Sequence, residues 1–184
     1  MNLYIADLHF GHANCINFDH RPFSDVTEMD NVLIQLWNGR VYDDDDVYII
    51  GDFCFKNAQD PVWYLKQLKG HKHLIKGNHD WKMLKNEEAV AYFESIDDLL
   101  MVEDSGEKIV LCHYPLAEWN NMFHGSWHIY GHIHANEGET ADFMRTRERA
   151  LNAGCMLNNY TPVSFRELRE NNERMRRQKD GSSG

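Results

Sequence analysis

Two pairs of residues in this sequence have the spacing of metal ligands. The segment YGHIHA, residues 130–135, places His132 and His134 two positions apart after an apolar run. The segment ADLHFGH near the start gives Asp7 and His9 the same spacing. Side chains at positions i and i+2 of an extended segment point the same way. We therefore interpret the two pairs as halves of one metal centre.

Other short apolar runs also end in polar residues. The residues at these run ends are Asp52, Asn78, His79 and His113. In open α/β sheets, functional sites form in the crevice at the carboxyl ends of the strands. A lone histidine such as His113 is more often a hydrogen-bonded structural residue, but a structural interpretation would have to explain every run ending in this way. We therefore predict that these side chains share one site.

The apolar runs have the length and the β-branched or aromatic content of buried strands. They are residues 3–7, 47–52, 73–80, 109–113 and 127–132. Between the first two runs, Met29, Leu33 and Trp37 recur at helical spacing. This pattern predicts a helix with Thr27 as its N-cap and Gly39 beyond its end.

Three local signals complete the pattern of elements. Asp60-Pro61 predicts the start of a second helix, Ser105-Gly106 predicts a hairpin turn, and the sequence SFRE from Ser164 predicts a capping box that opens a third helix. Strands interleaved with helices predict one α/β domain with mixed sheets over residues 1–184. The end of the third helix is nearly all polar, so we expect about residues 175–184 to be exposed or disordered.

Composition limits the classes of partner. The net charge of −10 argues against a general nucleic-acid binder, whose affinity depends on Lys and Arg. No apolar run approaches the roughly 18–20 residues that span a bilayer, and the start MNLYIAD lacks a basic region, so we expect neither a membrane partner nor a secretory signal. The four cysteines lack CxxC spacing, which predicts buried thiols, notably Cys54 and Cys112, and a reducing, cytoplasmic location.

Five sequence blocks, taken in order, resemble the signature of the calcineurin-like metallophosphoesterase superfamily. The blocks are DLHFGH, GDF, GNHD, CHYP and GHIH, between residues 7 and 134. The signature has the form D-x-H, G-D, G-N-H-D/E, H and G-H-x-H. The segment FGHANCINFDHRPF resembles, more narrowly, a small bacterial and phage-type branch. The resemblance implies an α/β fold, a four-layer α/β/β/α sandwich of two mixed β-sheets flanked by helices.

The resemblance also implies two divalent metal ions that share one carboxylate. The residues that would bind one ion are Asp7, His9, Asp52 and His134. The residues that would bind the other are Asp52, Asn78, His113 and His132. Nitrogen and oxygen ligands without thiolate suit Mn, Fe, Zn or Ni, and manganese is our preferred assignment.

The implied reaction is hydrolysis of a phosphodiester or phosphomonoester, in which a metal-bridging hydroxide attacks phosphorus. In the family pattern the equivalent of His79 contacts the phosphate and protonates the leaving oxygen, while Asp80 would either orient that imidazole or cap the following helix. We expect a small phosphate-ester or nucleotide-like substrate. Weaker candidates for substrate contacts are His12, Asn14 and Arg21, for which structural roles are the alternative.

Two other functions on the same fold stay open. A non-catalytic interaction scaffold, such as a retromer subunit, could dispense with His79, which is present here together with every ligand. A nuclease would normally have a basic groove, and the net charge of −10 speaks against one without deciding the question.

Overall fold

The computed structural model describes residues 1–55 and 59–180, and within these residues the strands form two sheets. The strands are β1 (Asn2–Ile5), β2 (Asp46–Ile49), β3 (His71–Ile75), β4 (Phe93–Asp97), β5 (Leu99–Asp104), β6 (Glu107–Cys112), β7 (Trp127–Tyr130), β8 (Ala150–Asn152) and β9 (Val163–Ser164). The helices are α1 (Ala13–Phe18), α2 (Val26–Arg40), α3 (Pro61–Leu65), α4 (Glu87–Val90), α5 (Glu139–Arg145) and α6 (Phe165–Asp180).

Both sheets are mixed. The first has the strand order β4-β3-β2-β1-β9, in which β9 runs antiparallel to β1 and the other neighbours are parallel. The second has the order β5-β6-β7-β8, in which β5 is antiparallel to β6 and the others are parallel. The prediction of mixed sheets in an α/β fold is confirmed.

Alternating side chains along the strands divide the core into layers. On β1, Leu3 and Ile5 belong to a core that α2 and α3 cover, whereas Tyr4 belongs to the core shared with the second sheet. On β6, Ile109 belongs to the shared core and Val110 to an outer core that includes α5. The resulting order of helix, sheet, sheet and helix is the predicted α/β/β/α sandwich.

The first long helix begins earlier than predicted. The N-cap of α2 is Asp25, whose side chain accepts a hydrogen bond from the Glu28 N–H at 2.9 Å, and the predicted cap Thr27 lies in the first turn. Asp25 has the extended backbone of an N-cap, and its carboxylate satisfies an N–H that has no partner within the helix. Gly39, the predicted stop, lies inside the helix.

The other local signals are confirmed. The Asp60 side chain accepts the Val62 N–H at 3.0 Å and caps α3. The N–H and the hydroxyl of Ser164 donate to the Glu167 carboxylate at 2.8 and 2.6 Å, and the Glu167 N–H donates back to Ser164 Oγ at 3.4 Å, which together form the capping box. Residues 105–106 both adopt positive φ, as a tight hairpin between β5 and β6 requires.

The polar end of the chain is helical as far as the structure describes it. Helix α6 runs through Asp180, and Arg177 and Gln178 are exposed. Arg176, in contrast, is only partly exposed and donates to the backbone carbonyls of Arg147 and Ala150 at 3.1 and 2.6 Å. Residues 181–184, also predicted to be exposed or disordered, lie outside the described residues.

The cysteines follow the sequence-based expectation. All four thiols are free and buried, including those of Cys54 and Cys112. Among the helices of the described residues, none combines the length and the apolar character that a membrane crossing requires.

Candidate metal centre

The strands stop before the polar residues that were predicted to end them. β1 ends two positions before Asp7, β2 three before Asp52, and β7 two before His132. These three residues have φ values of 58°, 56° and 69°, in the left-handed region. A strand cannot continue through that conformation, so each chain segment turns at the sheet edge and directs its side chain into the space beyond.

This backbone conformation is shared by most of the predicted metal ligands. The residues concerned are Asp7, His9, Asp52, His132 and His134, with φ between 52° and 69°. A non-glycine residue held in this region costs of order 1–3 kcal/mol, and such strain persists where the surrounding structure fixes it. Asp7, His9 and Asp52 are buried, at 0%, 1% and 1% exposure. Strain of this kind concentrates at functional sites.

The first ligand set, defined as Asp7, His9, Asp52 and His134, converges on one point. The potential ligand atoms of these residues all lie within 4.8 Å of one another. His9 Nε2 is 3.0 Å from His134 Nε2 and 3.5 Å from Asp52 Oδ2. Imidazole nitrogens and carboxylate oxygens in this arrangement form a donor set suited to a divalent transition metal.

The second ligand set, defined as Asp52, Asn78, His113 and His132, lies beside the first. Asn78 Oδ1 is 3.1 Å from His113 Nε2 and 3.0 Å from His132 Nδ1. Asp52 Oδ2 is 3.6 Å from His113 Nε2 and 3.5 Å from His9 Nε2, so one carboxylate oxygen adjoins both sets. Asn78 and His132 are exposed, which makes the second ligand set the solvent-facing one.

The protonation states of the histidines fit metal binding. Burial lowers the pKa of His9, of His113 and of His132, so these rings are neutral near pH 7. The His113 ring uses Nδ1 to donate to the Ile50 carbonyl at 2.8 Å, which leaves the Nε2 lone pair directed at the second ligand set. Neutral imidazoles, carboxylates and an amide oxygen are chemically suited to Mn, Fe, Zn or Ni.

The buried carboxylates of Asp7 and Asp52 would be stabilised by a nearby positive charge. Burial raises the pKa of Asp7 to about 7, and it also raises the pKa of Asp52. Desolvation penalises the charged form of each group, so an ionised pair at this depth is unfavourable without a compensating charge. A divalent cation would provide that charge, and the residues present therefore fit the implied metals.

Asp7→Asn is expected to stabilise the metal-free protein at pH 8 and to lose this advantage in acid. Because the folded-state pKa of Asp7 is about 7 against 3.8 ordinarily, ionising this carboxyl costs up to about 4 kcal/mol more in the folded than in the unfolded protein. As the pH falls through about 7 towards 4, the folded carboxyl is protonated first and the penalty disappears. Urea unfolding in EDTA at pH 8 and pH 5 measures the difference, and an equal difference at both pH values would contradict the prediction.

Comparisons with known proteins give relatives over most of the chain. MJ1445, an uncharacterized protein of Methanocaldococcus jannaschii, is 36% identical over 163 residues, which cover 88% of this chain and 85% of that protein. The gene 66 protein of Mycobacterium phage L5 is 27% identical over 159 residues, which cover 72% of this chain and 76% of the phage protein. The solved structure of AQ665, a protein of unknown function from Aquifex aeolicus, matches with a TM-score of 0.72 and 28% identity over 92% of this chain and 98% of the other. No family model matches.

Three observations agree with the predicted fold and site: the ordered motifs, the two mixed sheets, and the convergence of the first ligand set. The chain belongs to one family with MJ1445, and its ordered motifs resemble the signature of the calcineurin-like metallophosphoesterase superfamily.

In this protein Asp19, which was not among the predicted site residues, holds His134 in place. Both Asp19 carboxylate oxygens accept from His134 Nδ1, at 2.8 and 2.9 Å. This contact directs Nε2 of the same ring towards His9. Burial works to lower the pKa of His134, but the hydrogen bond that its Nδ1 donates to Asp19 and the charges of Asp7 and Asp19 raise this pKa above its ordinary value.

Arg21 does not serve the predicted substrate contact, because its guanidinium is enclosed by the protein. The residue is 4% exposed, and it donates to Asp19 from Nε and Nη2 at 3.1 and 3.0 Å. It also donates to the backbone carbonyls of Leu8 and Asp7 at 2.9 and 3.0 Å. Arg21 therefore fixes Asp19 and the loop of the first ligand set. In the segment FDHRPF, Asp19 and Arg21 stand two positions apart, and this spacing is the sequence signal that could have indicated the pair.

Asp19→Asn is expected to weaken metal binding by about 10- to 100-fold while the protein stays folded. The amide can still contact the His134 ring, but it no longer supplies the negative charge that fixes the tautomer and strengthens the ligand nitrogen. Competition with a fluorescent chelator measures the metal affinity. Asp25→Asn, a change of the same type at the start of α2, is the control, and unchanged affinity in Asp19→Asn would contradict the prediction.

Asp80 has a different role from both predicted ones. It is fully buried, and its Oδ2 accepts the N–H groups of Asp52 and Gly77 at 2.9 and 2.7 Å, while Oδ1 accepts that of Phe53 at 2.9 Å. These bonds occupy the carboxylate with backbone, so it neither orients His79 nor caps a helix. Gly77 is equally constrained, since a Cβ there would lie 2.3 Å from Asp52 Oδ1.

His79 borders the first ligand set without belonging to either set. Its backbone N–H donates to Asp52 Oδ1 at 2.8 Å, and its partly exposed ring lies with its centroid 5.3 Å from that of His9. The side chain is therefore beside the ligands and accessible to a substrate. The role of His79 as the proton donor stays a prediction.

Of the remaining predicted substrate contacts, His12 and Asn14, the structure places His12 beside the first ligand set. The buried His12 ring stacks on Phe55 with centroids 3.7 Å apart and lies 5.4 Å from the His9 ring. Burial lowers the pKa of His12 to about 4, and its Nδ1 has no hydrogen-bond partner among the described residues. Asn14 is exposed on α1. For both residues, substrate contact stays a prediction.

Proposed function

We propose that this protein is a metal-dependent phosphoesterase that hydrolyses a small phosphodiester or nucleotide-like ester. The observation that carries the proposal is the position of Asp52 Oδ2, which lies 3.5 Å from His9 Nε2 in the first ligand set and 3.6 Å from His113 Nε2 in the second. A carboxylate placed in this way can join two ions in one centre. The resemblance of the ordered motifs to the calcineurin-like metallophosphoesterase signature supports hydrolysis of phosphate esters in general.

When bound, two divalent ions would supply positive charge to the phosphate oxygens and lower the pKa of water. The residues of the chain provide the positioning and the proton. Asp52 keeps the two ligand sets together, and its Oδ1 is fixed by the His79 N–H at 2.8 Å. The His79 ring, partly exposed beside the first ligand set, donates a proton to the leaving oxygen in this proposal. Manganese is the first ion to test.

Two alternatives have less support. A non-catalytic scaffold would not require five strained ligand residues or the accessible His79. A nuclease could use the same centre, but a net charge of −10 disfavours binding of a long polyanion. We further propose a cytoplasmic location, which the four free thiols support because reduced cysteines are the rule there.

A single preparation of purified protein tests the function. The metal content per chain is measured, and hydrolysis of bis-p-nitrophenyl phosphate is compared with that of the p-nitrophenyl monoester after addition of Mn²⁺. We expect two ions per chain, faster turnover of the diester, and loss of activity after EDTA treatment. If protein that carries two ions hydrolyses neither ester, the phosphoesterase proposal is wrong and the scaffold is favoured.

A further inference from the structure

An exposed aromatic ring stands against the first ligand set. Phe18, the last residue of α1, is 53% exposed. Its ring centroid lies 6.4 Å from that of His134 and 5.5 Å from that of His12, in a T-shaped arrangement with the latter. Two imidazole rings thus lie beside Phe18, while about half of its surface faces solvent.

A second exposed aromatic ring stands against the second ligand set. Tyr114 follows the ligand His113 and is 45% exposed. Its ring centroid lies 4.7 Å from that of His132 and 5.2 Å from that of His113, with interplanar angles of 62° and 75°. Tyr114 is therefore packed edge-to-face on two predicted ligands of one ion and remains accessible.

The two rings flank the candidate metal centre. Phe18 adjoins the first ligand set through His134, and Tyr114 adjoins the second through His132. The two ligand sets share Asp52, so each ring lies beside one part of a single candidate centre. Single exposed aromatic residues are common on protein surfaces and need no explanation. Two exposed rings that each pack beside a predicted ligand of a different set are a more specific observation.

The chemistry of a diester matches this arrangement. A phosphodiester carries two organic groups on one phosphorus, which matches one centre with an aromatic ring beside each ligand set. Aromatic side chains bind nucleobases by stacking without requiring a particular base. The net charge of −10 disfavours a long nucleic acid, so the substrate should carry few phosphates.

We propose that Phe18 and Tyr114 are stacking platforms for the two bases of a short nucleotide diester such as a dinucleotide. This inference rests on the proposed phosphoesterase function and narrows its substrate class. Neither residue takes part in the chemistry. Their effect is on substrate affinity, and it should appear in KM with little change in kcat.

The test uses the dinucleotide thymidylyl-thymidine and, as a diester with one small substituent, methyl p-nitrophenyl phosphate. For the dinucleotide, Phe18→Ala and Tyr114→Ala are each expected to raise KM about tenfold. For the methyl ester, at most one of the two variants should change KM, because this diester carries one ring. Phe18→Trp keeps a stacking face and should retain the wild-type KM, which separates stacking from a loss of fold.

Tyr42→Ala is the matched control. Tyr42 is 71% exposed and precedes β2 at its amino end, whereas the candidate centre lies beyond the carboxyl ends of the strands, so its removal should leave KM unchanged. The stacking proposal is overturned if the dinucleotide is not hydrolysed while bis-p-nitrophenyl phosphate is, or if both alanine variants keep the wild-type KM. If the metal-loaded protein hydrolyses none of these diesters, the phosphoesterase function itself fails.

Discussion

Asp52→Asn is expected to reduce diester hydrolysis by about 1,000-fold or more and to lower the metal content from two ions to one or none. The Asp52 carboxylate adjoins a histidine of each ligand set at 3.5 and 3.6 Å. An amide is neutral and offers one weak oxygen donor, so it cannot balance the charge of two cations or hold them together. Metal analysis and initial rates with bis-p-nitrophenyl phosphate measure the two effects.

The fold should tolerate this change. Burial raises the pKa of Asp52, so the neutral amide removes an unfavourable buried charge from the metal-free protein. Asp44→Asn, the same substitution at an exposed position, is the control and should affect neither metal content nor rate. An Asp52→Asn variant that keeps two ions and full turnover would show that the shared carboxylate is not the basis of the site.

His79→Ala is expected to keep both ions and lose turnover by about 100- to 10,000-fold, the range typical of general acid–base catalysis. The side chain lies beside the first ligand set and its backbone contact to Asp52 does not need the imidazole. The loss should be larger for an alkyl diester than for a p-nitrophenyl ester, because p-nitrophenolate leaves without needing a proton.

This dependence on the leaving group separates proton donation from a structural effect. A variant with a disturbed centre would lose activity on both kinds of ester equally, and its metal content would fall. His71→Ala is the control, since His71 is an exposed histidine at the amino end of β3. Undiminished hydrolysis of alkyl diesters by His79→Ala would exclude the proposed role.

Part of the meeting of distant residues was predictable from the sequence. Asp7 and Asp52 follow the parallel neighbours β1 and β2. His113 and His132 follow the parallel neighbours β6 and β7, so each sheet brings two of these run ends together. The left-handed backbone of Asp7, Asp52 and His132 was not predictable, because aspartate and histidine adopt it only where tertiary packing compensates for its cost. For the same reason the predicted strands extended into residues that in fact turn away from the sheet.

The roles of the residues around the two ligand sets depend on burial, and burial could not be determined from the sequence. Asp19 and His134 are 115 positions apart, so their contact exists only once α1 lies against the turn after β7. Arg21 and Asp80 have the residue types of substrate-binding or catalytic groups, but the fold encloses both and pairs them with backbone. A charged side chain near a site motif can thus stabilise the backbone of the site and have no contact with the substrate.

The unequal exposure of the two ligand sets has a consequence for metal exchange. Asp7 and His9 are enclosed, while Asn78 and His132 reach the solvent. An ion held by the enclosed groups would be retained through purification, whereas its neighbour would equilibrate with the buffer. The metal bound by the first ligand set in the isolated protein would then depend on which metals the cell supplied. The metal bound by the second ligand set would depend on the salts in the buffer.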